Sequence, residues 1–158
     1  MAQDSLRQHV LDLLDGQQAH QNFDYIVSGM MPTIRGKRPP QVPYSPWELL
    51  EHMRVAQHDI LEFCRNPNYE QPNWPDDYWP STPAPPSRAA WNESAETFRA
   101  DLSEIKAMVR GVDDLYAEIP HGSGQTYLRE ALLVADHNAY HLGQLVTVRR
   151  LLGAWPPQ

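Results

Sequence analysis

Proline limits what this chain can become more than any other residue. Twelve of its fifteen prolines crowd between Met31 and Pro46 and between Pro67 and Pro86, Pro120 stands alone, and a last pair falls at Pro156 and Pro157. Inside a helix, proline removes a backbone donor and clashes with the preceding turn; inside a sheet it breaks the ladder. The prolines therefore mark joints, and the long stretches between them are free to form continuous elements. Apolar residues in those stretches recur at three- and four-residue steps, the period of an amphipathic helix, and no stretch keeps the period-two alternation of a strand. The pattern predicts an all-α fold, a four-helix bundle with long proline-rich connections, formed as one domain over residues 1–158.

The first helical stretch is expected from Asp4 to about Gly29. Leu6, Val10, Leu13, His20 and Val27 share its stripe, Gly16 weakens its middle, and Gly29 with Pro32 stops it. A short basic loop with Arg35, Lys37 and Arg38 follows. Ser45-Pro46-Trp47-Glu48 is a strong helix start: a capping serine, a proline at the first helical position, and a glutamate where a capping box needs it. That second helix runs to about Asn66 along Leu49, Met53, Ala56, Ile60 and Phe63. The third runs from Ser87 to about Arg110 and shows no chemistry, only the regular spacing of Trp91, Ala95, Phe98, Leu102, Ile105 and Val109. The last spans Thr126 to Gly153.

Composition removes several classes of function. The formal net charge of -7 and the dispersed Lys and Arg argue against a nucleic-acid partner. No apolar run approaches a membrane span and the N-terminus does not read as a signal peptide, so neither membrane embedding nor secretion by that route is expected. One cysteine, Cys64, precludes an internal disulfide and fits a reducing, cytoplasmic setting. Cys64 lies on an apolar stripe, the place of a small core residue and not of a nucleophile. The segment Pro67 to Pro86 cannot be helix, yet it keeps Trp74, Tyr78 and Trp79. These give it apolar surface to pack as a lid over one end of the bundle.

The chemistry gathers on histidines. His137 and His141 stand four residues apart on the last helix, about 40° apart on its wheel, a spacing at which two imidazoles can hold one metal ion and one that also arises by chance. On the second helix His52 falls about 20° from Phe63 and about 40° from Ala56, so it turns inward, whereas His58 turns away. His52 is therefore the candidate third ligand, and Asp59 and Glu48 on the same flank are candidates to orient its ring. His20, on the first stripe, is a reserve site residue or an ordinary core histidine. Three neutral imidazoles and an open position suit a divalent ion that activates water, a thiol or a carbonyl, and imidazole suits zinc, nickel, copper and iron alike.

The last helix carries two apolar faces. His137 shares one with Tyr127, Val134, His141, Val148 and Leu152, together with Glu130 and Gln144. Leu128, Leu132, Ala135, Ala139, Leu142 and Val146 fill the other. The second face is expected either beneath the long loops or at a two-fold homodimer interface, where Ala135 and Ala139 would allow close approach.

The run Trp47-Glu48-Leu49-Leu50-Glu51-His52, the later His137-Asn138-Ala139-Tyr140-His141-Leu142-Gly143-Gln144, and the terminal Arg149-Arg150-Leu151-Leu152-Gly153 together resemble the DinB-like (DinB/YfiT) superfamily of metal-binding four-helix bundles. The resemblance extends over most of the chain. It implies a divalent metal, often nickel or zinc, on His52, His137 and His141, and frequent homodimers. It also implies thiol-dependent S-transferase or isomerase chemistry with low-molecular-weight thiols. The proline and aromatic loop Trp74 to Pro80 and His20 are not general marks of that superfamily. Two functions follow. One is a metal-dependent enzyme, a thiol-dependent transferase or hydrolase acting on a small molecule, with Glu130 or Gln144 supporting the ligands. The other is a non-catalytic metal-binding or stress-response protein that keeps the triad.

Overall fold

Four long helices and one short one carry the described chain, residues 2–157 of a computed structural model. They are α1 (Ala2–Asp15), α2 (Phe23–Val27), α3 (Pro46–Arg65), α4 (Arg88–Gly111) and α5 (Tyr127–Leu151), with one 3-10 turn at Asp76–Tyr78. Among the described residues no strand forms; an isolated antiparallel bridge between Glu118 and Thr126 closes the turn ahead of α5. α3 packs chiefly on α4 and α5, and α1 packs on α4 and α5 from the other side. The long helices thus make a bundle with α1 diagonal to α3. No described helix is long and apolar enough to cross a membrane.

The helix starts follow local chemistry. Ser45 Oγ accepts from Glu48 N at 3.1 Å while Glu48 Oε2 accepts from Ser45 N at 2.9 Å, the reciprocal pair of a capping box, with Pro46 at the first position. Ser87 and Thr126 cap α4 and α5 without the reciprocal bond, each side chain accepting from a backbone N–H, of Ala90 and of Arg129. Gly153, at φ +69°, ends α5, where Ala154 N reaches Arg149 O at 2.8 Å.

The expected first helix is two helices. Gly16 adopts φ +68° and stops α1, because a left-handed residue that is cheap only for glycine breaks the i to i-4 ladder. Asn22 then caps α2, its side chain accepting from Tyr25 N at 3.0 Å. The stripe shifts with the break: Val10, Leu11 and Leu14 are buried and Leu13 is exposed. His20, expected on the inward stripe, lies in the exposed connection, with its Nδ1 bonded to Gln21 O at 2.8 Å.

The core has two parts, stacked along the bundle. One joins α2 to α3, α4 and the later half of α5 around Phe23, Leu50, Phe98 and Leu145. The other joins α1 to α3, α4 and the earlier half of α5 around Val10, Leu61, Ile105 and Val134. Arg149 is buried beside the first, where its guanidinium donates to the carbonyls of Ile26 at 2.5 Å, Ser28 at 2.8 Å and Ala154 at 2.9 Å. The second apolar face of α5 is largely turned into this core. Ala135 and Leu142 are buried, Leu128 and Val146 pack against the clusters, Ala139 is half-buried, and Leu132 is exposed.

Candidate metal centre

Three imidazoles meet at the seam between α3 and α5. His52 projects from the second turn of α3, and His137 and His141 project from consecutive turns of α5. His52 Nε2 lies 3.1 Å from His137 Nε2 and 3.1 Å from His141 Nε2, and the potential ligand atoms of all three lie within 4.8 Å of one another. For comparison, metal–nitrogen bonds of about 2.0–2.1 Å at tetrahedral angles put nitrogens roughly 3.3 Å apart. His52 and His141 are buried and His137 is half-buried.

What faces the rings from behind determines what they present in front. The Tyr78 carbonyl lies 2.9 Å from His52 Nδ1, and Gln144 Oε1 lies 2.7 Å from His141 Nδ1. Each oxygen only accepts, so each Nδ1 carries the proton and each Nε2 is left with a bare lone pair. Two bare lone pairs at 3.1 Å repel unless a cation stands between them. Burial, with the other two imidazoles adding to it, pushes the His137 pKa down to about 3. Burial likewise takes His52 down to about 4 and lowers His141. The rings are neutral near pH 7, the state in which imidazole ligates a metal. The triad is positioned to hold a metal ion, and its donor set fits one.

The proline-rich loop reaches this site. Trp79 stacks on His52 with centroids 3.9 Å apart and planes 3° apart, and Tyr44 stacks on Trp79 at 5.3 Å. Tyr78 is buried, while Trp74 is exposed. Asp59 does not touch the His52 ring. It accepts from the Tyr69 hydroxyl and, at 2.6 Å, from the Tyr78 hydroxyl, and so holds the residue whose carbonyl orients His52. Glu48 serves the capping box and an ion pair with Arg38. Glu130 is buried and paired with Arg129 and is not part of the histidine cluster, whereas Gln144 sits directly on His141. His20 is not brought to the triad. His58 is exposed and bonds Asp101 at 3.0 Å. Burial pushes the Cys64 thiol up to about 12, with the Glu130 carboxylate adding to it, so it is no ready nucleophile.

Sequence reasoning missed Tyr44 and the Tyr78 carbonyl. The density of aromatic residues between Trp74 and Pro80 signalled packing, but not that Trp79 would cover His52. No curated protein and no solved structure matches the chain. A family model does match, over residues 5–145, a span that contains all three histidines, their Nδ1 partners and the capping box. By that match, together with the histidine seam between α3 and α5, the chain belongs to the DinB superfamily.

Proposed function

We propose that His52, His137 and His141 hold one divalent ion, zinc or nickel, through their Nε2 atoms, and that the protein is a metal-dependent thiol transferase or hydrolase acting on a small molecule. The observation that carries this reading is the pair of committed Nδ1 protons, on Tyr78 O and Gln144 Oε1, which leaves lone pairs converging at 3.1 Å. Such an ion, when bound, supplies the Lewis acidity that lowers the pKa of a thiol or water. The chain's own part is to keep the imidazoles neutral by burial, to fix their rotation through Tyr78 and Gln144, and to exclude water from the His52 face with Trp79. The single cysteine fits a reducing, cytoplasmic setting. A homodimer through α5 keeps only the resemblance as support, since most of its second apolar face is engaged within the chain; its check is a dimeric mass by light scattering.

The test is a rate. Metal-loaded protein should accelerate displacement of halide from an activated aryl halide by glutathione, releasing halide and a proton, or hydrolysis of an activated ester, and the acceleration should vanish in His137→Ala. A protein that binds the ion and accelerates neither is the non-catalytic metal-binding protein of the alternative reading.

A further inference from the structure

Asp59 follows His52 by two turns of α3 and lies on nearly the same face, about 10 Å further along the axis. One residue of the proline-rich segment bridges the two. The Tyr78 hydroxyl donates to Asp59 Oδ2 at 2.6 Å, and the Tyr78 carbonyl accepts from His52 Nδ1 at 2.9 Å. The Tyr69 hydroxyl donates to Asp59 Oδ1, so both carboxylate oxygens are engaged by the segment. Trp79, the next residue, stacks on the His52 ring with planes 3° apart. The stack fixes the plane of the ring, and the carbonyl fixes its rotation within that plane.

While the Tyr78 carbonyl keeps the proton on Nδ1, His52 Nε2 stays a bare lone pair 3.1 Å from the Nε2 atoms of His137 and His141. Without that carbonyl the proton is better placed on Nε2, where it donates across the same gap to a neighbouring imidazole and closes the cluster to a cation. A loop carbonyl holds such a position only as well as its loop is held. Asp59 supplies the hold, because a hydroxyl bonded to a carboxylate is bound more strongly than one bonded to a neutral acceptor. The buried Tyr78 ring is rigid, so fixing its hydroxyl confines its backbone. Tyr78 N donates to Pro75 O at 3.1 Å and Asp77 N to Asn73 O at 3.0 Å, which ties the neighbouring turn to it.

We propose that Asp59 is a positioning residue for His52, and that docking of the segment from Tyr69 to Trp79 on α3 and binding of a divalent ion at the histidines are one linked equilibrium. The linkage rests on the metal reading; the positioning of the ring does not. Asp59 acts on His52 only through Tyr78. Coupling of this kind is reciprocal, so the factor by which the docked segment raises the affinity for the ion is the factor by which the ion favours docking.

Asp59→Leu and Tyr78→Phe each remove the bond at Asp59 Oδ2 and leave the Tyr78 carbonyl in the chain. In metal-free full-length protein, long-range proton–nitrogen NMR correlations read which nitrogen of His52 carries the proton. It should be Nδ1 in wild type and shift toward Nε2 in both variants, a change that lost stability alone does not produce. Zinc, read by competition with a chromogenic chelator, should bind each variant about tenfold more weakly. In wild type, zinc should also slow hydrogen exchange at the Asp77 and Tyr78 amides, and the slowing should shrink in the variants. A His52 proton that stays on Nδ1 with wild-type zinc affinity in both variants, or exchange at those amides indifferent to bound zinc, would overturn the proposal. Absence of zinc binding by wild type would overturn the metal reading instead, and the His52 proton, read without metal, would still decide the role of Asp59.

Discussion

At His141 the ring is held from behind by Gln144, 2.7 Å from Nδ1, and that contact fixes which nitrogen faces His52. Gln144→Leu should therefore lower metal affinity by about 10- to 100-fold, the usual effect of losing such an outer partner, with little change in the melting temperature. Gln144→Glu, which keeps an acceptor, should restore most of the affinity; competition with a chromogenic chelator reads both. The three imidazoles also set a pH dependence. Burial holds His52 down to about 4 and His137 down to about 3, whereas in the unfolded chain both titrate near the ordinary 6.5. Below pH 6.5 the unfolded state binds more protons than the folded one. The metal-free protein should therefore lose stability from pH 6.5 downward toward those folded values, starting above the carboxylate range. A lower urea midpoint at pH 5.0 than at pH 7.5 is expected, and equal midpoints would count against the buried neutral triad.

Among the elements, α1 and α3 show what the sequence could and could not reveal. The start of α3 was legible because a capping box is local chemistry: Ser45, Pro46 and Glu48 satisfy the first backbone donors among themselves. The extents of α4 and α5 were legible from the three- and four-residue spacing of their apolar residues, and His52 turns inward because its angle on the α3 wheel places it beside Phe63 and Ala56. The break after α1 was not legible. Gly16 costs a helix little more than any weak former, so its presence does not announce a stop, and the left-handed turn it takes, φ +68°, accompanies the separate docking of α1 and α2 on α5. An unbroken helix would put Leu13 and His20 inward with Leu6, Val10 and Val27; with the break, Val10 and Val27 are buried and Leu6 packs on the core, but Leu13 and His20 are exposed. The double face of α5 was read from its periodicity, but what covers one face, α1 and α2 of the same chain, is a tertiary fact. The Trp79 stack on His52 joins residues far apart in sequence across a loop without helical or strand period, so no pattern could supply it. Gly16→Ala tests the break directly. An added Cβ would meet His20 Cε1 at 3.5 Å and Asn22 Cα at 3.9 Å, both ordinary contacts, so space does not oppose it and the φ of +68° does. A loss of about 1–2 kcal/mol in urea unfolding is expected, the cost of a left-handed backbone.

Across the whole molecule, stability and site share a frame. Arg149 ties the end of α5 to the carbonyls of Ile26 and Ser28 that follow α2, with its charge buried and its donors directed at three oxygens. Arg149→Met should cost about 3–5 kcal/mol, because the carbonyls lose charged donors while staying out of water. Such a loss would appear as a lower urea midpoint without a change in metal stoichiometry at low denaturant. The same bundle brings α3 and α5 together at the histidines, so the metal should bind to the folded chain as one ion per copy. The most direct test of this account is elemental analysis of tag-free protein dialysed against zinc or nickel and then against metal-free buffer. Wild type should retain about one ion per chain and the His52→Ala, His137→Ala, His141→Ala triple variant close to none. Equal metal content in the two proteins would contradict the account.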